Sequence, residues 1–193
     1  SYNDANKEFE KISDLYKITN DNEIKSISLE AKTEIINNCI WMLELNKAKY
    51  LLCELESVLN YLYRNNQIIG HSLIYAFLNF YNRKMFLNYM IDKFSINDYN
   101  QATKFSNEFA KPEYTAFAKM DYAKCLYCSD LDKALQIMNE ANTILKTVNE
   151  KRRFLDAKSE IWFLNCINEK NINYIEFEQI KNRMQKNHYI QSY

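Results

Sequence analysis

The stretch SDLDKALQIMNEA, residues 129–141, decides the fold because a polar turn is followed directly by apolar residues at helical spacing. Ser129 belongs to the residue types that cap helix N-termini, and Asp132, three positions later, suits the positive end of a first turn. Steps of three and four residues place the following apolar side chains on one face. That stripe comprises Leu131, Ala134, Leu135, Met138, Ala141, Leu145 and Val148. We therefore predict a helix with one buried face over residues 130–147.

The same helical spacing of apolar residues occurs on the N-terminal side of this stretch, at 113–127 and at 47–63. Asn20 and Ser95 also precede an acidic residue by three positions, as Ser129 does. No segment shows the sustained alternation that a half-buried strand requires. We predict an all-α chain whose short turns make neighbouring helices antiparallel. About ten helices are expected, near residues 4–19, 23–45, 47–64, 68–82, 84–94, 97–110, 113–128, 130–147, 150–168 and 173–187.

The composition supports this fold class and excludes several kinds of function. Glycine and proline occur once each in 193 residues, far fewer than the turns of a sheet protein need. Lys+Arg and Asp+Glu are both 25, and no basic stripe indicates a nucleic-acid surface. The sequence has no 18-residue apolar run typical of a membrane span. The five scattered cysteines are typical of reduced thiols. We expect a cytoplasmic protein that binds neither nucleic acid nor membrane.

The hairpin at 113–147 resembles a tetratricopeptide repeat. In that family a Gly-Asp turn precedes an alanine, a bulky residue four positions on, and a second alanine three beyond. The corresponding residues here are Ser129-Asp130, Ala134, Met138 and Ala141. Ser129 stands where the family usually has glycine, and the turn is about one residue shorter than is usual. Residues 46–58 repeat the same offsets less fully.

The resemblance implies an α-solenoid, in which antiparallel hairpins stack in one helical-repeat domain over residues 1–193. An irregular helical bundle is the alternative. Because terminal repeats need polar caps or neighbours, and because the chain begins with Ser1, we expect it to be a piece of a longer protein. Oligomerisation through the terminal repeats is also expected.

One motif could carry chemistry, the pair Cys125 and Cys128, which would share a face of a helix. A structural zinc site needs four ligands, and the other three cysteines are isolated. The sequence has no glycine-rich phosphate loop, nucleophile elbow or H-E-x-x-H motif. We therefore predict no cofactor, no metal site and no catalytic residues, so the chain is not expected to be an enzyme. Two carboxylates brought together by folding are the alternative.

In repeats of this kind the first helices line a concave face, and asparagines there often hold a peptide backbone. The resemblance therefore implies a non-catalytic module that binds a protein or peptide, as the sensor or scaffold region of a larger intracellular regulator. The alternative is a compact bundle, for example viral, that binds an amphipathic partner helix in an apolar groove. The aromatic run at 73–94 is then either a packed interior or part of a binding groove. The predicted contact residues are Tyr75, Asn79, Asn82, Lys124, Tyr127, Lys158, Trp162 and Asn165.

Overall fold

The protein is seen in a computed structural model that describes residues 2–168 together with Ile175, Gln179 and Asn182. Within these residues every regular element is an α-helix, so the all-α prediction is confirmed. None of the described helices is long and apolar enough to cross a membrane. The helices are α1 (Tyr2–Ile18), α2 (Asn22–Trp41), α3 (Leu45–Arg64), α4 (His71–Met90), α5 (Ile96–Glu108), α6 (Pro112–Cys125), α7 (Leu131–Thr147) and α8 (Lys151–Ile167).

Helix α4 differs from the prediction, because the segments 68–82 and 84–94 form one helix. Arg83 and Lys84 lie inside this helix, where both side chains are half-buried and Lys84 Nζ lies 2.6 Å from a carboxylate oxygen of Glu56 on α3. Interhelical pairing thus accommodates the charge without a turn. The part of the chain that the structure describes has eight helices, and the prediction at 173–187 lies almost entirely outside it.

Five helices end in the same way, although the chain has a single glycine. The residue after each C-cap adopts a positive φ, between 52° and 60°. The next backbone N–H then donates to a carbonyl of the last helical turn, as in Glu44 N to Cys39 O at 2.8 Å and Lys93 N to Asn88 O at 2.7 Å. These bonds satisfy carbonyls that the helix end leaves open, and they explain the short connections. The residues with positive φ are Leu43, Asn66, Asp92, Ala110 and Asn149.

The chain divides into two compact units, residues 1–105 and 106–193, and each is described by itself. In the first unit, Lys32 Nζ on α2 lies 2.7 Å from Glu54 Oε2 on α3. The two residues are about equally far along the chain from the turn that joins α2 to α3. Helix α3 is therefore antiparallel to α2 and, by the same kind of pairing, to α4. Helices α2 and α4 consequently run parallel, and they pack directly against each other.

The interior of the first unit is apolar and rich in aromatic rings. The aromatic run predicted as either a core or a groove contributes mostly to this core, where Tyr81 and Phe105 have ring centroids 4.6 Å apart. One polar pair is also buried, since Asn38 Nδ2 donates to Asn6 Oδ1 at 2.9 Å between α2 and α1. The largest fully buried side chains of this unit are Ile36, Ile40, Leu55, Leu59, Phe77, Leu78, Phe80, Met85 and Leu87.

The second unit contains the antiparallel hairpin that residues 129–141 predicted, formed by α6 and α7. Lys119 Nζ on α6 lies 2.6 Å from Glu140 Oε2 on α7. Small side chains let the two helices approach closely, and Met138 is fully buried beside them. The buried alanines are Ala116, Ala118 and Ala123 on α6, and Ala134 and Ala141 on α7. Whether these helices form part of a solenoid remains a prediction.

Candidate functional site

Helix α2 contacts α1, α3 and α4, and this leaves a narrow uncovered stripe of side chains beside α4. Glu30, Glu34, Asn37 and Trp41 follow one another at steps of four, three and four residues and therefore lie on one face. The first three are half-buried, and Trp41 is 52% exposed.

Two contacts align this stripe with α4. The Tyr75 hydroxyl donates to Glu34 Oε1 at 2.9 Å, and the rings of Trp41 and Phe86 have centroids 5.9 Å apart. Because α2 and α4 run parallel, Asn37 lies between these two contacts. We call this surface the α2–α4 face. It consists of Glu30, Glu34, Asn37 and Trp41 on α2, and of Tyr75, Asn79, Asn82 and Phe86 on α4.

Two amide carbonyls of the α2–α4 face have no donor. The Oδ1 atoms of Asn37 and Asn82 are buried, and no hydrogen-bond donor of the described residues reaches either one. The whole of Asn82 is 2% exposed. A buried carbonyl left in this state costs about 1–3 kcal/mol relative to a satisfied one. Both atoms therefore have unused capacity to accept a hydrogen bond, and a ligand would reach them only after the side chain rotates.

Tyr75 is held as a neutral donor at the acidic end of this face. Burial raises its pKa to about 12, the carboxylate of Glu34 adds to that rise, and a hydrogen bond with Asn79 opposes it. Glu34 therefore receives a hydrogen bond without a compensating positive charge. Among the residues that the structure describes, no Lys or Arg lies within ion-pair distance of Glu30 or Glu34.

The second unit places a comparable set of residues between α6 and α8, but there the charges are paired. Glu160 accepts a hydrogen bond from the Tyr127 hydroxyl at 2.7 Å, and Lys124 Nζ lies 3.6 Å from its other oxygen. Burial and the charge of Glu160 raise the pKa of Tyr127. Asp156, whose pKa is raised by burial, lies 3.6 Å from Arg153. The two carboxylates of this surface thus each have a cation nearby.

The predicted contact residues fall into three groups. Tyr75 lies on the α2–α4 face, and its Glu34 partner was not predicted. Asn79 and Asn82 are interior amides of α4, at 6% and 2% exposure. The members in the second unit are half-buried around α8. These are Lys124 and Tyr127, which share Glu160, Lys158, whose Nζ lies 5.5 Å from the Phe154 ring centroid, and Trp162 and Asn165.

Sequence reasoning missed Glu34, Asn37 and Trp41, although the spacing of α2 contained a usable signal. Steps of three and four residues place Glu34, Asn37 and Trp41 on one face of α2. The partner of Tyr75 gave no such signal, because the two residues are 41 positions apart and meet only through packing.

The cysteine pair does not form a shared site. Cys125 is the last residue of α6 and donates to Asp121 O at 3.2 Å, and burial raises the pKa of its thiol to about 12. Cys128 is exposed in the following turn. Across residues 2–168 and the three described residues beyond, no cluster of three or more His, Cys, Asp and Glu side chains could hold a metal ion.

The α2–α4 face thus combines the exposed Trp41 beside the half-buried Phe86, two unsatisfied amide carbonyls and two carboxylates without cations. It contains no arrangement of nucleophile and base. Comparisons of the chain with models of known protein families, with curated proteins and with solved structures found no match.

Proposed function

We propose that this chain is a non-catalytic module that binds a peptide or an extended protein segment along the α2–α4 face. The observation that carries the proposal is the pair of buried, unsatisfied carbonyls of Asn37 and Asn82 beside the exposed Trp41. An extended backbone presents N–H groups that such carbonyls can accept from, and an indole gives a bound side chain a large apolar contact. No other chemistry is needed for recognition of this kind.

The arrangement of helices supports a repeat-like reading of the same function. The hairpin of α6 and α7 buries small residues at the positions where a tetratricopeptide repeat does. Helices α2 and α4 pack side by side with α3 joining them, as first helices of successive hairpins would. On this reading the chain is a cytoplasmic sensor or scaffold region of a larger regulator, and peptide binding is what it contributes.

A selection from random twelve-residue peptides displayed on phage tests the proposal, with the purified chain as bait. We expect enriched peptides whose affinity falls at least tenfold in Trp41→Ala, because removing a central aromatic contact commonly costs more than about 1.4 kcal/mol. Tyr61→Ala is the matched control, since Tyr61 is 63% exposed on α3 and lies outside the face. An absence of enrichment, or equal losses in both variants, would reject the proposal.

A second candidate is an apolar groove for an amphipathic helix, favoured by a cavity of about 270 Å³ that residues of α1, α2 and α3 line. Leu51, Leu55 and Val58 lie along it, and Lys32 with Glu54 form an ion pair beside them. The same selection separates the two sites. If Leu51→Glu abolishes binding while Trp41→Ala leaves it unchanged, the groove is the binding site and the α2–α4 face is not.

A further inference from the structure

We infer that the ligand of the α2–α4 face is a cationic peptide with a lysine or arginine at the Glu30–Glu34 end and an apolar side chain at the Trp41–Phe86 end. This inference rests on the proposed function and adds the charge and the direction of the ligand. It is carried by charge complementarity, by burial and by the spacing of groups along α2.

The charge argument starts from how this chain treats carboxylates between helices. Elsewhere four half-buried or partly exposed carboxylates each have a lysine on another helix, at 2.6–3.6 Å. These pairs are Glu54 with Lys32, Glu56 with Lys84, Glu140 with Lys119, and Glu160 with Lys124. Glu30 and Glu34 also lie between two packed helices, but α4 presents Tyr75 there, not a lysine. A cation from outside the chain would complete the pattern.

The surroundings of the two carboxylates favour a cation over water. Both side chains are half-buried beside a tyrosine ring, so a charge placed against them is screened less than on an open surface. The Tyr75 hydroxyl holds one oxygen of Glu34 in place and leaves the other free to accept from an ammonium or guanidinium group. The site is therefore preorganised for a positive group.

The spacing along α2 sets the length of the motif. Trp41 lies seven positions after Glu34. Because a helix rises about 1.5 Å per residue, the two lie roughly 10 Å apart along the axis. An extended peptide covers this distance in about three residues and the distance from Glu30 in about five. The amides of Asn37 and Asn82 lie between the ends, and rotation of either side chain would turn its buried carbonyl toward the backbone of the intervening residues. The expected ligand has a basic and an apolar residue three to five positions apart.

The experiment uses the full chain and the random peptide pool already described. The wild type is compared with Glu30→Gln/Glu34→Gln, and with Asp4→Asn/Glu8→Gln, which removes two carboxylates from the exposed surface of α1. We expect wild-type peptides to share a lysine or arginine three to five residues from an apolar position. The affinity of the best peptide, measured by calorimetry, should fall at least tenfold in the Glu30/Glu34 variant and stay within twofold in the control.

A change on the peptide alone keeps the protein native. Replacing the shared basic residue with norleucine should weaken binding at least tenfold to the wild type, and raising NaCl from 50 to 500 mM should weaken the unmodified peptide more than the norleucine one. Enriched peptides that depend on Trp41 but carry no basic preference would overturn this inference and leave the proposed function standing. A pool from which nothing is enriched would overturn both.

Discussion

Tyr75 illustrates what the sequence can and cannot reveal about a single residue. Its place on one face with Asn79 and Asn82 predicted a contact with a partner, and its ring is half-buried in the structure. Its hydroxyl, however, is fixed by Glu34, which comes from a helix two elements earlier. The burial of Asn79 and Asn82 was missed for the same reason. Spacing within one helix predicts which residues share a face, whereas the partner of that face depends on how distant helices pack.

The raised pKa of Tyr75 predicts a loss of stability at alkaline pH. Its folded pKa is about 12 and its ordinary value is 10, so the stabilisation of the neutral hydroxyl is complete below pH 10 and is lost as the pH rises through 12. We expect the free energy of unfolding to fall less steeply over that window in Tyr75→Phe than in the wild type. Urea denaturation at pH 9, 10.5 and 11.5 measures this, with Tyr61→Phe as control. Parallel curves for wild type and Tyr75→Phe would contradict it.

At the scale of the element, the starts of α2, α5, α6, α7 and α8 were predicted to within a residue, and helix ends were explained only by the structure. The Ser95–Asp98 pair forms the expected reciprocal cap, with Ser95 N donating to Asp98 Oδ2 at 3.1 Å and Asn97 N to Ser95 Oγ at 3.2 Å. In the turn before α7 the cap is Asp130, one residue beyond the predicted Ser129. Both residue types cap well, so composition does not choose between them.

The cap of α7 can be tested by a pair of substitutions. Asp130 Oδ1 accepts from Lys133 N at 3.0 Å, whereas Ser129 Oγ makes only a 3.4 Å contact with Leu126 O. Asp130→Ala should therefore reduce the free energy of unfolding by about 1 kcal/mol, and Ser129→Ala by clearly less. Chemical denaturation of both variants decides between them. A larger loss in Ser129→Ala would mean that the helix begins one residue earlier.

The positive φ of Ala110 offers a stabilising change. A residue with a Cβ atom is disfavoured there, and glycine is not, although glycine loses more entropy on folding. We expect Ala110→Gly to raise the free energy of unfolding by up to about 1 kcal/mol. Gln101→Gly, at an exposed position inside α5, is the matched control and should lower it by about 1 kcal/mol. Thermal melts of the two variants that shift in the same direction would refute the assignment of this helix end.

At the scale of the whole molecule, the all-α class followed from the scarcity of glycine and proline and from the helical spacing. The prediction of two helices at 68–82 and 84–94 was wrong, because the helix continues through Arg83 and Lys84 and Lys84 pairs with Glu56 on α3. Each of the two compact units has its own apolar core, with Leu55 fully buried in one and Leu145 in the other. This division could not be predicted from the sequence, because the residues around 105 do not have the composition of a linker.

Separate cores predict separate responses to core damage. Leu55→Ala and Leu145→Ala should each cost about 2–5 kcal/mol, because each removes a fully buried side chain. We expect Leu55→Ala to accelerate hydrogen–deuterium exchange in residues 1–105 and to leave α7 unaffected, and Leu145→Ala to do the reverse. Exchange that accelerates equally in both units for either variant would show that they unfold as one.

The amide pair of Asn6 and Asn38 has a consequence for how α1 is seated. Asn6 is the buried residue of α1. Non-directional apolar contacts alone would define the register of α1 on α2 poorly, whereas the hydrogen bond between Asn6 and Asn38 requires one alignment. A shift of α1 by one helical turn would break this bond and leave the amide N–H of Asn38 and the carbonyl of Asn6 buried without a partner. This single buried hydrogen bond thereby specifies the register of α1 against α2.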